Sequence, residues 1–319
     1  MNLRTYHKLF VCGILAVALL TTLQLSAQHL SLEGQTGGFL TPTAYVVESA
    51  KGQIFSHPAV AFHFIDASTV IGNIETFSIT EGFANRAEAG YSRSVHQLGN
   101  ETTGLDLSAF WDYNGMNVFH GKIVAVKDGQ FGSWTPGVAV GGVYREGDHF
   151  VSGYLAKYLG IGPDKAYTNG DVYISVSKTW AKKPVPFLAN AGWKVTNGEL
   201  FGIGGQATRF GGRFYGGLGI PLPITHGIVA VPSVGCTQEP RQVQSLNAAL
   251  YPFPGKAHLP TTMDYAVRVT QREHPHFSFD LGVGQIAGNI GTSYIPGVGL
   301  VPVNLQARHV IGTGLSFRY

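Results

Sequence analysis

The sequence predicts an all-β chain, a single antiparallel transmembrane β-barrel of about 12 strands, with 14–16 as the alternative count. Three observations predict it. Segments with period-2 alternation recur along the chain with little helical periodicity between them. Charged residues make up only 13% of the chain, about half the usual share, while glycines number 43 and mean hydropathy is +0.09. That balance excludes a bundle of apolar helices and suits strands whose lipid-facing and lumen-facing residues cancel. The chain also ends on an alternating strand, Arg308 to Tyr319, with an aromatic as its last residue.

At the N-terminus, Arg4 and Lys8 precede the apolar run Leu9 to Leu20, and Leu25-Ser26-Ala27 offers a small residue before Gln28. This is the order of a secretory signal, so residues 1–27 are read as a cleaved leader, with an uncleaved inner-membrane anchor as the alternative. Val11 stands before Cys12 where a lipoprotein would need a small residue. Removing two positive charges takes the net charge from +3 to +1, which points to no nucleic acid or other polyanion. Cys236 is then the remaining cysteine, so no intramolecular disulfide is possible, and it reads as a small apolar side chain.

Residues 28–51 are irregular, broken by Thr36-Gly37-Gly38 and Thr41-Pro42-Thr43, and are read as a periplasmic lead-in or short plug. Residues 52–319 are read as the barrel. Its strands are expected at 53–65, 69–80, 84–96, 117–127, 137–146, 171–180, 187–197, 211–221, 227–236, 263–272, 277–286 and 308–319. Short connections fall at 81–83, 181–186, 222–226 and 273–276. Long ones fall at 97–116, 147–170, 198–210, 237–262 and 287–307. Short turns on one side and long loops on the other are what such barrels show, with 66–68 and 128–136 fitting less well. Strand-like pieces at 103–112, 148–158, 200–209 and 242–251 would raise the count. The apolar run Gly219 to Cys236 is interrupted by Pro221, Pro223 and Pro232, and reads as two strands around a turn at Thr225-His226-Gly227.

Several pieces of this layout carry a family resemblance. They are Thr36-Gly37-Gly38 with a following Thr-Pro element, Arg86-Ala87-Glu88-Ala89-Gly90-Tyr91, and Ser133-Trp134-Thr135-Pro136. To these belong Val172 to Ser177, Val195 to Phe201 and the terminal aromatic strand. In this order the chain resembles a family of uncharacterised Gram-negative outer-membrane β-barrel proteins, a domain family of unknown function. The resemblance implies a barrel in the bacterial outer membrane and brings no catalytic residues. The Thr41-Pro42-Thr43-Ala44 element gives a looser likeness to barrels of exopolysaccharide export.

Motifs for chemistry are weak. Ser175 and Lys178 match S-x-x-K, but on a strand positions three apart face opposite ways. Gly202 and Gly204 with Ala207, and Gly282 and Gly284 with Ala287, echo a dinucleotide fingerprint without the helix it requires. There the glycines are read as places where neighbouring chain crowds the backbone. His274-Pro275-His276 is the closest histidine pair, in an expected turn. No catalytic residue, metal ligand or cofactor is assigned, and the chain is not read as an enzyme.

The polar faces of the expected strands carry Arg86, Glu88, Lys194, Asp264, Arg268, Asp280 and Arg318, the lumen-lining candidates. A midplane Arg or Lys on the lipid face would cost about 2–4 kcal/mol, so the lumen is their cheaper place. Their mixed signs argue against a strong anion or cation filter. Ile311, Leu315, Phe317 and Tyr319 form the lipid face of the terminal strand, the element offered to the barrel-assembly machinery. Tyr91, Trp180 and Trp193, with Tyr319, suit interfacial girdles. The apolar loop 287–307 is expected to fold into the mouth or meet a partner. The leading functional expectation is a passive channel or porin for small solutes. A closed structural or accessory barrel for envelope assembly or polysaccharide export is the second, and an outer-membrane lipid or glycan hydrolase the third. Partners are outer-membrane lipid and, as a possibility for porins in general, further copies of the chain.

Overall fold

The structure, a computed structural model, describes residues 29–66, 73–97, 114–147, 168–181, 186–199, 205–225, 227–238, 256–257, 261–271, 277–286, 289–295, 299–304 and 308–318. The expected leader, the histidine pair, Tyr319 and the pieces 103–112, 148–158 and 242–251 lie outside these residues.

The strands are β1 (Ala59–Asp66), β2 (Asn73–Phe83), β3 (Ala87–Gln97), β4 (Asn114–Val126), β5 (Gly137–Gly147), β6 (Thr168–Trp180), β7 (Phe187–Glu199) and β8 (Gly205–Gly219). They continue as β9 (Leu222–Thr225), β10 (Ile228–Thr237), β11 (Lys256–Ala257), β12 (Thr262–Gln271), β13 (Phe277–Ile286), β14 (Asn289–Ile295), β15 (Gly299–Asn304) and β16 (Arg308–Arg318). Antiparallel pairing runs from β1 to β8, then through β10, β12, β13 and β16. β16 returns to pair with β1 from Ala59↔Arg318 to Asp66↔Ile311, so twelve strands close a ring with no free edge. β9 is a four-residue flap on β10, and β11, β14 and β15 form a separate small sheet.

Register sends apolar residues outward and polar ones inward. Phe62 of β1 lies between Leu315 of β16 and Phe77 of β2, and all three are exposed on the outer face. In β16, Ile311, Leu315 and Phe317 are outward, while Val310, Gly312, Gly314 and Ser316 face in. Cys236 is exposed on β10. The outer face turns polar along one row near the long-loop end: Glu146, Asn117 and Arg93 are register neighbours, and Asn117 accepts from Tyr91 (2.7 Å) and Arg93 (3.2 Å). Such a row suits the boundary between an apolar belt and water.

The differences from expectation have local causes. The first tight turn is at 84–86 instead of 81–83, because Ala84 and Asn85 adopt left-handed φ (51° and 53°) and Arg86 N–H closes on Phe83 C=O at 2.9 Å. Two left-handed central residues make the hairpin turn whose twist matches paired strands. The expected loop at 198–210 shrinks because β7 and β8 run on past a bulge at Thr196/Gly198. The apolar run from Gly219 folds as the short β9, which lies on the expected 222–226 connection, and β10. Part of the 287–307 stretch forms the β14–β15 hairpin. Trp193 sits mid-strand on the outer face, away from a girdle position, whereas Trp180 stacks on Phe187 at a strand end, 4.3 Å between centroids.

Candidate functional site

The barrel interior is occupied by the N-terminal segment. From His29 to Val47 nearly every residue is buried, and the backbone folds on itself: Ser31 N–H bonds Gln35 C=O, Leu32 N–H bonds Phe39 C=O and Thr43 N–H bonds Thr36 C=O. The Thr36-Gly37-Gly38 and Thr41-Pro42 breakers permit these reversals.

Two clusters tie this plug to the β3–β6 wall. Glu88 of β3 is buried and accepts from Thr36 N–H (2.9 Å), Thr36 Oγ1 (2.5 Å) and Val47 N–H (3.1 Å). Lys122 of β4 lies 3.0 Å from Glu88 and donates to the carbonyls of Thr36 and Thr43, each at 2.9 Å. An ammonium has three donors, and all three of these are used. Next to it, Arg145 of β5 holds Glu33 of the plug with two bonds (2.5 and 2.9 Å) and Asp171 of β6 with a third (2.7 Å). Ser92 donates to Glu33 C=O and Thr80 to Gly34 C=O, at 2.7 and 2.6 Å. Further round, Asn190 of β7 donates to Pro42 C=O and Ser177 of β6 accepts from Ala44 N–H.

The 127–136 turn is long for a reason the structure makes plain. Its Asp128 accepts from the Tyr45 hydroxyl (2.9 Å), Thr179 N–H (2.9 Å) and the Lys178 ammonium, so the turn clasps the end of the plug. Burial pushes the Tyr45 phenol well up, which keeps it a donor.

The third cluster lies on the opposite wall. His29 of the plug meets Ser278 of β13 through Nδ1 (2.8 Å), and its Nε2 faces the Asp280 carboxylate. Asp280, fully buried, is gripped by Arg268 of β12 (2.9 and 3.3 Å), which also donates to Gly37 C=O. His63 of β1 packs edge-on against His29, centroids 5.8 Å apart.

The lumen candidates thus separate. Glu88, Lys194, Asp264 and Asp280 are buried inside, and Arg268 is partly so. Arg86 is not on a strand face: it stands in the β2–β3 turn, donating to Val124 and Ala125 carbonyls and to Gln130 at the rim. Arg318 is at the same end and donates to Glu48 C=O. A small cavity with room for about one water remains between plug and wall, bordered by Glu33, Gln35, Asp171, Tyr173 and Lys194.

Ser175 and Lys178 go to separate partners, Ser175 to Asn190 and Lys178 to Asp128, so they form no dyad. Of the described glycines in the fingerprint echoes, Gly284 marks crowding, since a Cβ there would stand 2.9 Å from Val310 Cγ2, while one on Gly282 would meet Ala266 and Phe39 at an ordinary 3.4 Å. Sequence reasoning missed His29, Glu33 and Thr36 in the plug, and His63, Lys122, Arg145 and Asp171 on the wall. His63, Arg145 and Asp171 lie on strands whose apolar parity names their face, which is the signal that could have found them, whereas β4 gives no such signal for Lys122.

No protein-family model matches the chain, and no curated protein matches it. Among solved structures, a KdgM porin aligns over 82% of this chain and 99% of its own, at 7% identity and a TM-score of 0.44. A NanC porin aligns over 82% and 100%, at 11% identity and a TM-score of 0.45. The translocator domain of the autotransporter NalP from Neisseria meningitidis aligns over 84% and 90%, at 8% identity and a TM-score of 0.36. The closed barrel is established by the strand pairing itself.

Proposed function

We propose that the chain is a barrel of the bacterial outer membrane, of the uncharacterised family it resembles, that serves as a passive channel for small solutes and is closed in this conformation by residues 29–51. The observation that carries the reading is the polarity of the seam between plug and wall. Along it, hydroxyls, amides, carbonyls and charges meet, so water could replace each partner if the plug withdrew. The plug also packs apolar side chains on the wall, Leu32, Phe39 and Leu40 with Ile65, Ile74 and Val310, and Leu30 and Val47 with Ala59 and Ala61, so its withdrawal would also wet some apolar surface. The outward apolar belt supports placement in lipid.

The described inner wall carries both signs, with Lys122, Arg145, Lys194, Arg213, Arg268 and Arg318 against Glu88, Asp171, Asp264 and Asp280, an excess of two positive charges. An opened lumen would therefore favour small anions modestly, with no strong filter.

The full satisfaction of Lys122 and Arg145 by plug and wall favours a second reading, a permanently closed accessory barrel. Conductance in planar bilayers decides between them. The mature chain is expected to open rarely and a variant lacking residues 28–51 to conduct steadily. A folded deletion variant that stays sealed at every salt and voltage would sink the channel.

A further inference from the structure

The third cluster is built differently from the other two. Register places Arg268, Asp280, Gly314 and His63 in one row across β12, β13, β16 and β1. Gly314 stands between Asp280 and His63 and has no side chain. A Cβ there would stand 2.6 Å from His63 Cδ2, so the glycine gives the imidazole its room. His29 descends from the plug onto the same point. One ligand atom from each of His29, His63 and Asp280 lies within 4.8 Å of the others, and all three residues are buried.

Two features set this apart from an ordinary buried ion pair. The Leu30 backbone lies beside His63, yet neither of its ring nitrogens completes a hydrogen bond among the described residues, at 0% exposure. His29 has its Nδ1 engaged by Ser278 while Nε2 is left toward Asp280. A hydrogen bond on one ring nitrogen that aims the other is the usual orientation of a metal-bound imidazole.

We propose that His29, His63 and Asp280 bind a divalent first-row metal ion of the zinc type, and that this ion clamps the plug to the barrel wall. Two imidazoles and a carboxylate are a common zinc set, with nitrogen and oxygen ligands ~2.0–2.2 Å from the ion and so roughly 3.3 Å from one another. The charges around the site permit the ion. Arg268 keeps its hold on the far oxygen of Asp280, and Asp264 lies on the same inner face of β12, so the fixed charges there sum to one negative. The proposal needs the plug to be in place and does not need the barrel to conduct.

The test is to refold the mature protein into detergent with zinc or with chelator, remove unbound metal and measure metal content. Folding is checked by heat-modifiable gel mobility, and Co²⁺ replaces Zn²⁺ to give a ligand-field spectrum. The expected result is one tightly held equivalent, a tetrahedral Co²⁺ spectrum, and loss of both in His29→Gln and in His63→Gln. Ser278→Ala, which frees the second nitrogen of His29, is expected to weaken binding about tenfold. No retained equivalent in folded wild type overturns the proposal. Retention undiminished in folded His29→Gln also overturns it, by assigning the metal to other histidines such as His274 and His276. His29 lies outside the strands, so that variant answers the question even if His63→Gln does not fold.

Discussion

The β3–β6 wall and the β12–β1 wall hold the same plug by different chemistry. On the first, Glu88 and Lys122 have their hydrogen-bonding capacity met by Thr36, Thr43 and Val47, and Arg145 forks onto Glu33. On the second, Asp280 is gripped by Arg268, but His63, beside the Leu30 backbone, completes no side-chain hydrogen bond among the described residues. A buried charge whose every bond is made is an anchor. Buried imidazole nitrogens without such bonds suit a ligand. The contrast shows that two walls of one barrel can be completed to different degrees, and where completion stops is where further chemistry fits.

Breaking the anchor should have the largest effect. Lys122→Met leaves the Glu88 carboxylate buried without its cation and is expected to cost about 3–5 kcal/mol, read from denaturant unfolding in detergent. Adding Glu88→Leu to it should recover much of that loss, since an apolar pair has no charge to strand. A double variant no better than the single one would mean that the pair holds the plug by geometry more than by charge balance.

Next comes Arg268→Gln, which removes the fork from Asp280 and a bond to Gly37. We expect a loss of about 1.5–3 kcal/mol, the worth of hydrogen bonds to charged groups. In the plug-deleted channel the same change should tip ion preference toward cations in reversal-potential measurements, and an unchanged preference would place Arg268 outside the pore.

In metal-free protein, His63→Gln breaks no hydrogen bond and should shift stability by only about 1 kcal/mol. A loss as large as that of Lys122→Met would make the two walls equivalent. Smallest is Ala84→Gly, remote from both walls. Relief of a left-handed alanine, partly offset by glycine's freedom in the unfolded chain, should stabilise by about 0.5–1 kcal/mol in the same unfolding assay.

The barrel was legible in the sequence because outward strand faces such as Ile311, Leu315 and Phe317 alternate cleanly with Gly312, Gly314 and Ser316. The interior was less so. In β4 the inner face carries Met116, Val118, His120 and Lys122 and the outer face Asn117, Phe119, Gly121 and Ile123, so neither reads as the polar one. Lys122 is silent in such a strand until a partner across the lumen is known. The plug has no period at all, and sequence offered no means to learn that Glu33 would meet Arg145. Arg86 was misplaced for a different reason: a turn three residues later than expected took it off the strand.

The plug's reach has a consequence for how the molecule is assembled. Its bonds join residues far apart in the chain: His29 to Ser278 across 249 positions, Gly37 to Arg268 across 231, and Glu48 to Arg318 across 270. The plug precedes every barrel strand in sequence, yet it cannot finish docking until the last strands exist. Ring closure between β1 and β16 and seating of the plug are then coupled steps, slow because their contacts are so long in sequence. Time-resolved refolding should show them as one late phase, with the β2–β7 hairpins formed well before it.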